Sequence, residues 1–189
     1  MRPERGPASS PVSEGPADGV RRRVVEAVSD SMRAVEHFDH GELRLYLALL
    51  QDRLPVYVGT MHELFAQAGQ ASVHKNLVMA AEATIGFYSE VLAAKMAVVA
   101  SPPQLVRLRQ VMKPRQIGPH QAEATVAAYL RREQELGRVA ADAEPLGAAR
   151  LLIGACLNYV FSVMLLGDDM LPPRQEYAAL LVEGLRLSP

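Results

Sequence analysis

Apolar residues recur along this chain at three- and four-residue steps, the period of an amphipathic helix, and no stretch sustains the two-residue alternation of a strand. From Val20 to Phe38, the spacing of Val24, Val25, Val28, Met32 and Val35 predicts a helix. Gly41 leads into a second over 42–51, carrying Leu43, Leu45, Leu47 and Leu50. Pro55 is expected to open a third, running to about Ala68 with Val56, Met61, Leu64 and Phe65 inward, and Gly69 suits the left-handed residue just past a helix end. A long helix follows from Val73 to Ala100. Ser101-Pro102-Pro103 ends it and starts a short one to Met112, and Gly118-Pro119 opens the next, over 118–136, with Ala122, Val126, Tyr129 and Leu130 on its apolar side. Gly137 stops that helix. After the run from Leu146 to Leu166, Pro172-Pro173 precedes a last helix over 174–187, where Tyr177, Leu180, Leu181, Gly184 and Leu185 share one face.

The run 146–166 is apolar on nearly every side and about 30 Å long, so it is expected to be a central helix buried on several sides. Glu144-Pro145 suits its start: proline loses no needed N–H there, and an acidic residue complements the helix dipole. One strip differs. Arg150, Gly154, Asn158 and Ser162 stand four residues apart, a small and polar line along which another helix or a ligand can approach closely. A membrane span is the competing reading. The uncharged stretch 151–167 is shorter than a usual span, includes Asn158 and Ser162, and is followed by Asp168 and Asp169 rather than by cations. The expectation is therefore no membrane.

Composition narrows the classes. The 189 residues carry a net charge of −1, so no global field points to nucleic acid. Residues 1–19 are rich in Pro, Gly, Ser and charge and read as a disordered tail. The basic triplet Arg21, Arg22 and Arg23 is the candidate phosphate contact, set against the plainer reading of a solvated helix end. His37 and His40 lack a third ligand at a recognised spacing, so no metal is expected. The single cysteine, Cys156, sits among apolar residues and reads as a small buried hydrophobe in a reducing, cytoplasmic setting. No phosphate loop, nucleophile elbow or zinc motif is present, and no catalytic residues or cofactor are expected. The Phe87-Tyr88 pair and the methionines of the long helix suit either a pocket for a flexible apolar ligand or plain core packing.

One segment carries more. Ala128-Tyr129-Leu130-Arg131-Arg132-Glu133-Gln134-Glu135-Leu136-Gly137-Arg138-Val139, the acidic–proline pair Glu144-Pro145, and Ala148-Ala149-Arg150-Leu151-Leu152-Ile153-Gly154-Ala155 together resemble the C-terminal domain of tetracycline-repressor (TetR) family regulators. The Gly118-Pro119-His120 helix start and the Asn76-Leu77 to Phe87-Tyr88 helix are similar to one subgroup, and the match spans about residues 50–187. The resemblance implies an all-α, multi-helix fold, with 1–19 a tail, 20–50 a helical remnant of a DNA-binding region, and 51–189 a ligand-binding and dimerisation domain. It implies a homodimer through helices 146–166 and 174–187, with Gly154, Ser162, Tyr177, Leu181 and Leu185 at the interface. It also implies a pocket for a small apolar effector, for which Phe87, Tyr88, Val91, Met96, Tyr129 and Asn158 are the candidate lining residues.

Val28-Ser29 and Glu36-His37-Phe38-Asp39-His40-Gly41-Glu42-Leu43 match the end of that family's DNA-binding unit in part. Ala34-Val35 replaces its Leu-Tyr pair, Gly41 replaces its lysine, and the spacing is one residue longer. Residues 1–19 are not expected to supply the unit's first two helices. A recognition helix needs that support to enter the major groove. The sequence thus leaves two alternatives: a transcriptional regulator, or a dimeric ligand-binding protein of the same fold that no longer reads DNA.

Overall fold

The helix over Val73–Ala100 is the axis of the molecule, because four other helices pack on it. The computed structural model describes residues 22, 23, 25, 26, 29, 30, 41–115 and 117–189. Among them every regular element is helical: α1 (Gly41–Ala66), α2 (Val73–Ala100), α3 (Pro102–Met112), α4 (Pro119–Glu135), α5 (Pro145–Leu166) and α6 (Arg174–Gly184), with single 3-10 turns at Lys113–Arg115 and Asp168–Met170. The fold class is all-α. The expected tail, Arg21, most of the helix over 20–38, and His37 and His40 lie outside the described residues.

The first correction concerns Pro55. It does not open a new helix; α1 runs straight through it. A proline inside a helix costs about 3 kcal/mol, since it removes a hydrogen bond and crowds the preceding turn. Against that stands a buried stripe on both sides of it, at alternating steps of four and three: Leu43, Leu47, Leu50, Leu54, Tyr57, Met61 and Leu64. Burying each large apolar side chain is worth roughly 1.5–3 kcal/mol, so packing against α2 outweighs the proline.

Helix α2 begins where the Ser72 hydroxyl accepts from the Lys75 amide at 3.1 Å, which caps its first turn. Small residues on its core side (Ala80, Ala81, Thr84) let α1, α5 and α6 approach its backbone. The run 146–166 is not the centre. Its helix α5 buries one side (Leu152, Ile153, Cys156, Tyr159, Val160) against α2 and α4 and leaves the other open. The N-terminal reading fits: Pro145 occupies the first turn, and the Glu144 carboxylate accepts from the Leu146 amide at 3.3 Å. By length and composition alone, α2 and α5 are both long and apolar enough to cross a membrane.

The last helix is shorter than expected, ending at Gly184 rather than 187. Beyond it the chain turns back, with Arg186 in the left-handed region at φ +49°, and the Leu187 carbonyl accepts from the Ala140 amide at 3.0 Å. A buried Leu187 and that bond hold the end against the loop after α4, which a continued helix would pull away.

A polar clamp joins the loop after α1 to the end of α4. The Glu133 side chain is fully buried; its Oε1 accepts from the Gly69 amide at 3.1 Å, and its Oε2 faces Arg138 Nε at 3.1 Å as an ion contact. The Arg138 guanidinium also donates to the carbonyls of Gln70 and Ala71. Asn76 donates from Nδ2 to the Gln70 carbonyl at 3.2 Å and to the Tyr129 hydroxyl at 3.0 Å. Gly69 and Ala71 hold left-handed φ values of +80° and +45°, so this loop is a conformation that the clamp has to keep in place.

Candidate functional site

Helices α2 and α4 are joined at one end by the Asn76–Tyr129 hydrogen bond. Between their other halves, Phe87–Lys95 and Pro119–Thr125, lies a cavity of about 340 Å³ closed on a third side by α1. That volume is at the lower end of small-molecule sites, roughly 300–1,000 Å³. The wall is mostly apolar: Leu50, Leu54, Val58 and Met61 of α1, Met112 of α3, and Ile117 and Ala122 beside the start of α4. Gly118 fits there because a Cβ would fall 2.8 Å from the His120 ring.

Aromatic side chains shape the interior. The Tyr57 ring stacks on Phe87 with centroids 4.6 Å apart and planes 8° from parallel, and Phe87 tilts against Tyr88 at 5.4 Å. Tyr57 is fixed at its far end by a 3.1 Å hydrogen bond with the Thr84 hydroxyl, which itself donates to the Ala80 carbonyl at 2.7 Å. Burial raises the pKa values of Tyr46 and Tyr57 above the ordinary phenol value, and it pushes that of Tyr88 up to about 12, with the Glu123 carboxylate and Cys156 adding to the effect. All three phenols are therefore neutral hydrogen-bonding groups. The polar lining is Arg23, His62, Lys95, Gln121 and Thr125.

Of the six residues expected to line a pocket, Phe87 and Tyr88 do so. The other four lie elsewhere. Val91 is packed in the core; Met96 is 37 % exposed and turned away, while its neighbour Lys95 points in; Tyr129 is fully buried and held by Asn76; Asn158 is exposed on the outer side of α5. At 3.6 residues per turn each step along the helix swings the side chain by about 100°, so a face read one position out misses the lining. Sequence reading also missed Tyr46, Leu54 and Tyr57. The signal was present in the stripe that begins at Leu43, and splitting α1 at Pro55 concealed it. Arg23, the candidate phosphate contact set against a solvated helix end, lines the cavity here, and Arg22 is exposed beside it.

On the reverse side of the Tyr57–Phe87 pair is a shallower groove of about 400 Å³, where Arg53 pairs with Glu90 at 2.7 Å and Arg174 reaches in. The stacked rings are the wall shared by the two spaces. Cys156 is fully buried with its Sγ 3.7 Å from the Ala81 carbonyl, and burial pushes its thiol up to about 12. Among the described residues, no three His, Cys, Asp or Glu side chains converge on a metal position.

The second candidate feature is the outer face of α5. Leu151, Gly154, Asn158, Phe161 and Leu165 are all exposed, Leu151 by 65 % and Leu165 by 63 %, and they alternate by three and four as in a helix–helix seam. Leu180 of α6 is 55 % exposed. The four-residue strip read from the sequence is rotated slightly from this line. Arg150 faces Glu123 of α4 at 3.5 Å, and Ser162 is half-buried. Tyr177, Leu181 and Leu185, expected at an interface, are instead half-buried against the chain's own core. Tyr177 donates to the Ala155 carbonyl at 3.1 Å and packs its ring on Tyr159 at 4.4 Å. Compared with known proteins, the chain matches no family model, no curated protein and no solved structure.

Proposed function

We propose that this chain is a ligand-responsive regulator of the TetR type, a homodimer that takes a small, largely apolar effector into the cavity of each subunit. The carrying observation is that Arg23, from the segment ahead of α1, lines the same cavity as α1, α2 and α4. In the same segment, Ser29 Oγ accepts from Gln51 Nε2 of α1 at 3.0 Å. A molecule in the cavity therefore touches both the ligand-binding body and the region where the sequence resembles a DNA-reading unit. An effector shifts such a system only by its difference in affinity between two arrangements, and a contact made by Arg23 in one arrangement supplies that difference.

The open face of α5 supports the dimer. A two-fold interface lays the same patch on itself, which would cover Leu151, Phe161 and Leu165 of both copies, with Gly154 permitting close approach. A second reading, the same dimer without DNA, is favoured by the departures at Ala34-Val35 and Gly41.

An electrophoretic shift assay with the DNA flanking the gene, at low and at physiological salt, tests the regulator. The expected result is sequence-specific binding that falls steeply with salt, as counterion release requires, and that changes when the cavity is filled. No binding at low salt removes the regulator and leaves the dimeric ligand-binding protein.

A further inference from the structure

The cavity has an electrical character that its apolar walls conceal. Two permanent or near-permanent cations, Arg23 and Lys95, line it, and no Asp or Glu among the described residues does. Of the carboxylates on the neighbouring helices, Glu42 accepts from Gln104 Nε2 at 2.7 Å, Glu90 holds Arg53 at 2.7 Å, and Glu123 faces Arg150 at 3.5 Å while its charge also reaches Tyr88. Lys95 is half-buried, and loss of hydration lowers the proton affinity of its side-chain amine. A desolvated ammonium without a counter-charge is costly. His62 also lines the space.

Opposite these groups the wall is hydrocarbon and ring: Leu50, Leu54, Met61, Phe87. Taking a water's share of liquid volume, about 30 Å³, as the unit, 340 Å³ has room for on the order of a dozen heavy atoms. We propose that the ligand is an amphipathic anion: an apolar body of that size carrying a carboxylate or phosphate head, which Lys95 and Arg23 bind. This rests on the reading of the cavity as the ligand site and names the class of molecule it takes. The bound anion would give Lys95 a counter-charge that the described residues of the cavity wall do not supply, while its apolar body displaces water from the hydrocarbon wall.

Calorimetric titration of the full chain at pH 7.4 with decanoate, decanol and decylamine, equal in chain length and different in head, tests it. Decanoate is expected to bind at least about 10-fold more tightly than decanol, the worth of a charge-assisted hydrogen bond, and decylamine more weakly than either. In the Lys95→Met, Arg23→Gln double variant the acid's advantage over decanol should vanish. Decyl phosphate in the same series separates the two heads: either anion binding more tightly than decanol supports the inference, and the tighter one identifies the head. Decanol equal to or tighter than both anions overturns the inference and leaves the cavity as a site for neutral ligands. An acid preference that survives in the double variant also overturns it. Binding by none of the four overturns the cavity reading itself.

Discussion

If α5 is a dimer seam, Leu151→Glu should break the dimer and spare the subunit. Leu151 is 65 % exposed in the single chain. Burying a whole leucine is worth roughly 1.5–3 kcal/mol, so covering this remainder contributes about 1–2 kcal/mol. The two-fold axis counts it twice, giving about 2–4 kcal/mol, a 30- to 1,000-fold rise in the dimer dissociation constant, roughly, before any penalty for a buried carboxylate. The monomer loses almost nothing, because the side chain faces water and Glu is a good helix former near an N-terminus. Gly154→Ala is the sharper companion. A Cβ there meets nothing within 4 Å in the subunit, and Ala in a helix interior is more stable than Gly by roughly 0.5–1 kcal/mol. The variant should therefore raise the melting temperature of the monomer while weakening the dimer, if the partner helix packs closely at that point. Sedimentation equilibrium over a hundredfold range of concentration reads the association, and a thermal melt reads the stability. A wild-type chain that stays monomeric throughout, or a Leu151→Glu variant with wild-type association, refutes the seam. Association that appears only with detergent or vesicles assigns the face to lipid.

Other expectations concern the subunit. Arg138→Met leaves the buried Glu133 carboxylate unpaired, which should cost about 3–5 kcal/mol and lower the melting temperature by roughly 6–20 °C; adding Glu133→Gln should recover part of that, and a single-variant loss below about 1 kcal/mol refutes the clamp. Cys156, with its thiol pushed up to about 12, should react with a disulfide reagent at pH 8 only as fast as the fold opens, and labelling within minutes of the folded chain contradicts its burial. Lys95 holds its proton less firmly folded than unfolded, so the unfolded chain binds more protons and stability rises with pH towards the ordinary lysine value of 10.5. Lys95→Met should accordingly stabilise the empty protein at neutral pH, with the gain fading as pH approaches 10.5 in chemical denaturation; a loss of stability at pH 7 means that Lys95 already has a counter-charge.

The helices were legible because their apolar periods are strong and their ends carry specific chemistry. Gly118-Pro119 ahead of α4 and Glu144-Pro145 ahead of α5 each act locally, and local rules can be read from a string of residues. Where the sequence misled, a distant contact decided. Proline at 55 by itself signals a helix start, and the pairing of α1 with α2 along seven buried side chains overrides it. The end of α6 depends on Leu187 reaching Ala140, a contact across the chain. The lining failed for a related reason. Phe87-Tyr88 stands out as an aromatic pair, but whether Val91, Lys95 or Met96 joins it depends on where α4 sits, and Tyr129 looked like a pocket residue until its partner Asn76, 53 positions earlier, was in view. The Glu133–Arg138 clamp lay within the very segment that carries the family resemblance; its residues were visible, while their role needed Gly69 and the loop carbonyls to be placed against them.

The cavity and the open face lie on different helices, and α2 is the element they share. Phe87 lines the cavity, and the preceding Gly86 lies so close to α6 that a Cβ would stand 3.3 Å from an Arg174 guanidinium nitrogen. A shift of the Tyr57–Phe87 pair on filling the cavity therefore bears on the Arg174 side chain at the start of α6, the helix that carries Leu180. Coupling of this kind is reciprocal: if the ligand alters dimerisation by some factor, dimerisation alters ligand affinity by the same factor. The expected outcome is that decanoate, titrated at protein concentrations well below and well above the dimer dissociation constant, shows two affinities. Their ratio should equal the shift in dimer dissociation that decanoate causes in sedimentation. Gly86→Ala presses a methyl group into that contact, so it should change the ratio while leaving affinity in the monomer as it was. One affinity at every protein concentration would mean that the packed core of α2 separates the two sites rather than joining them.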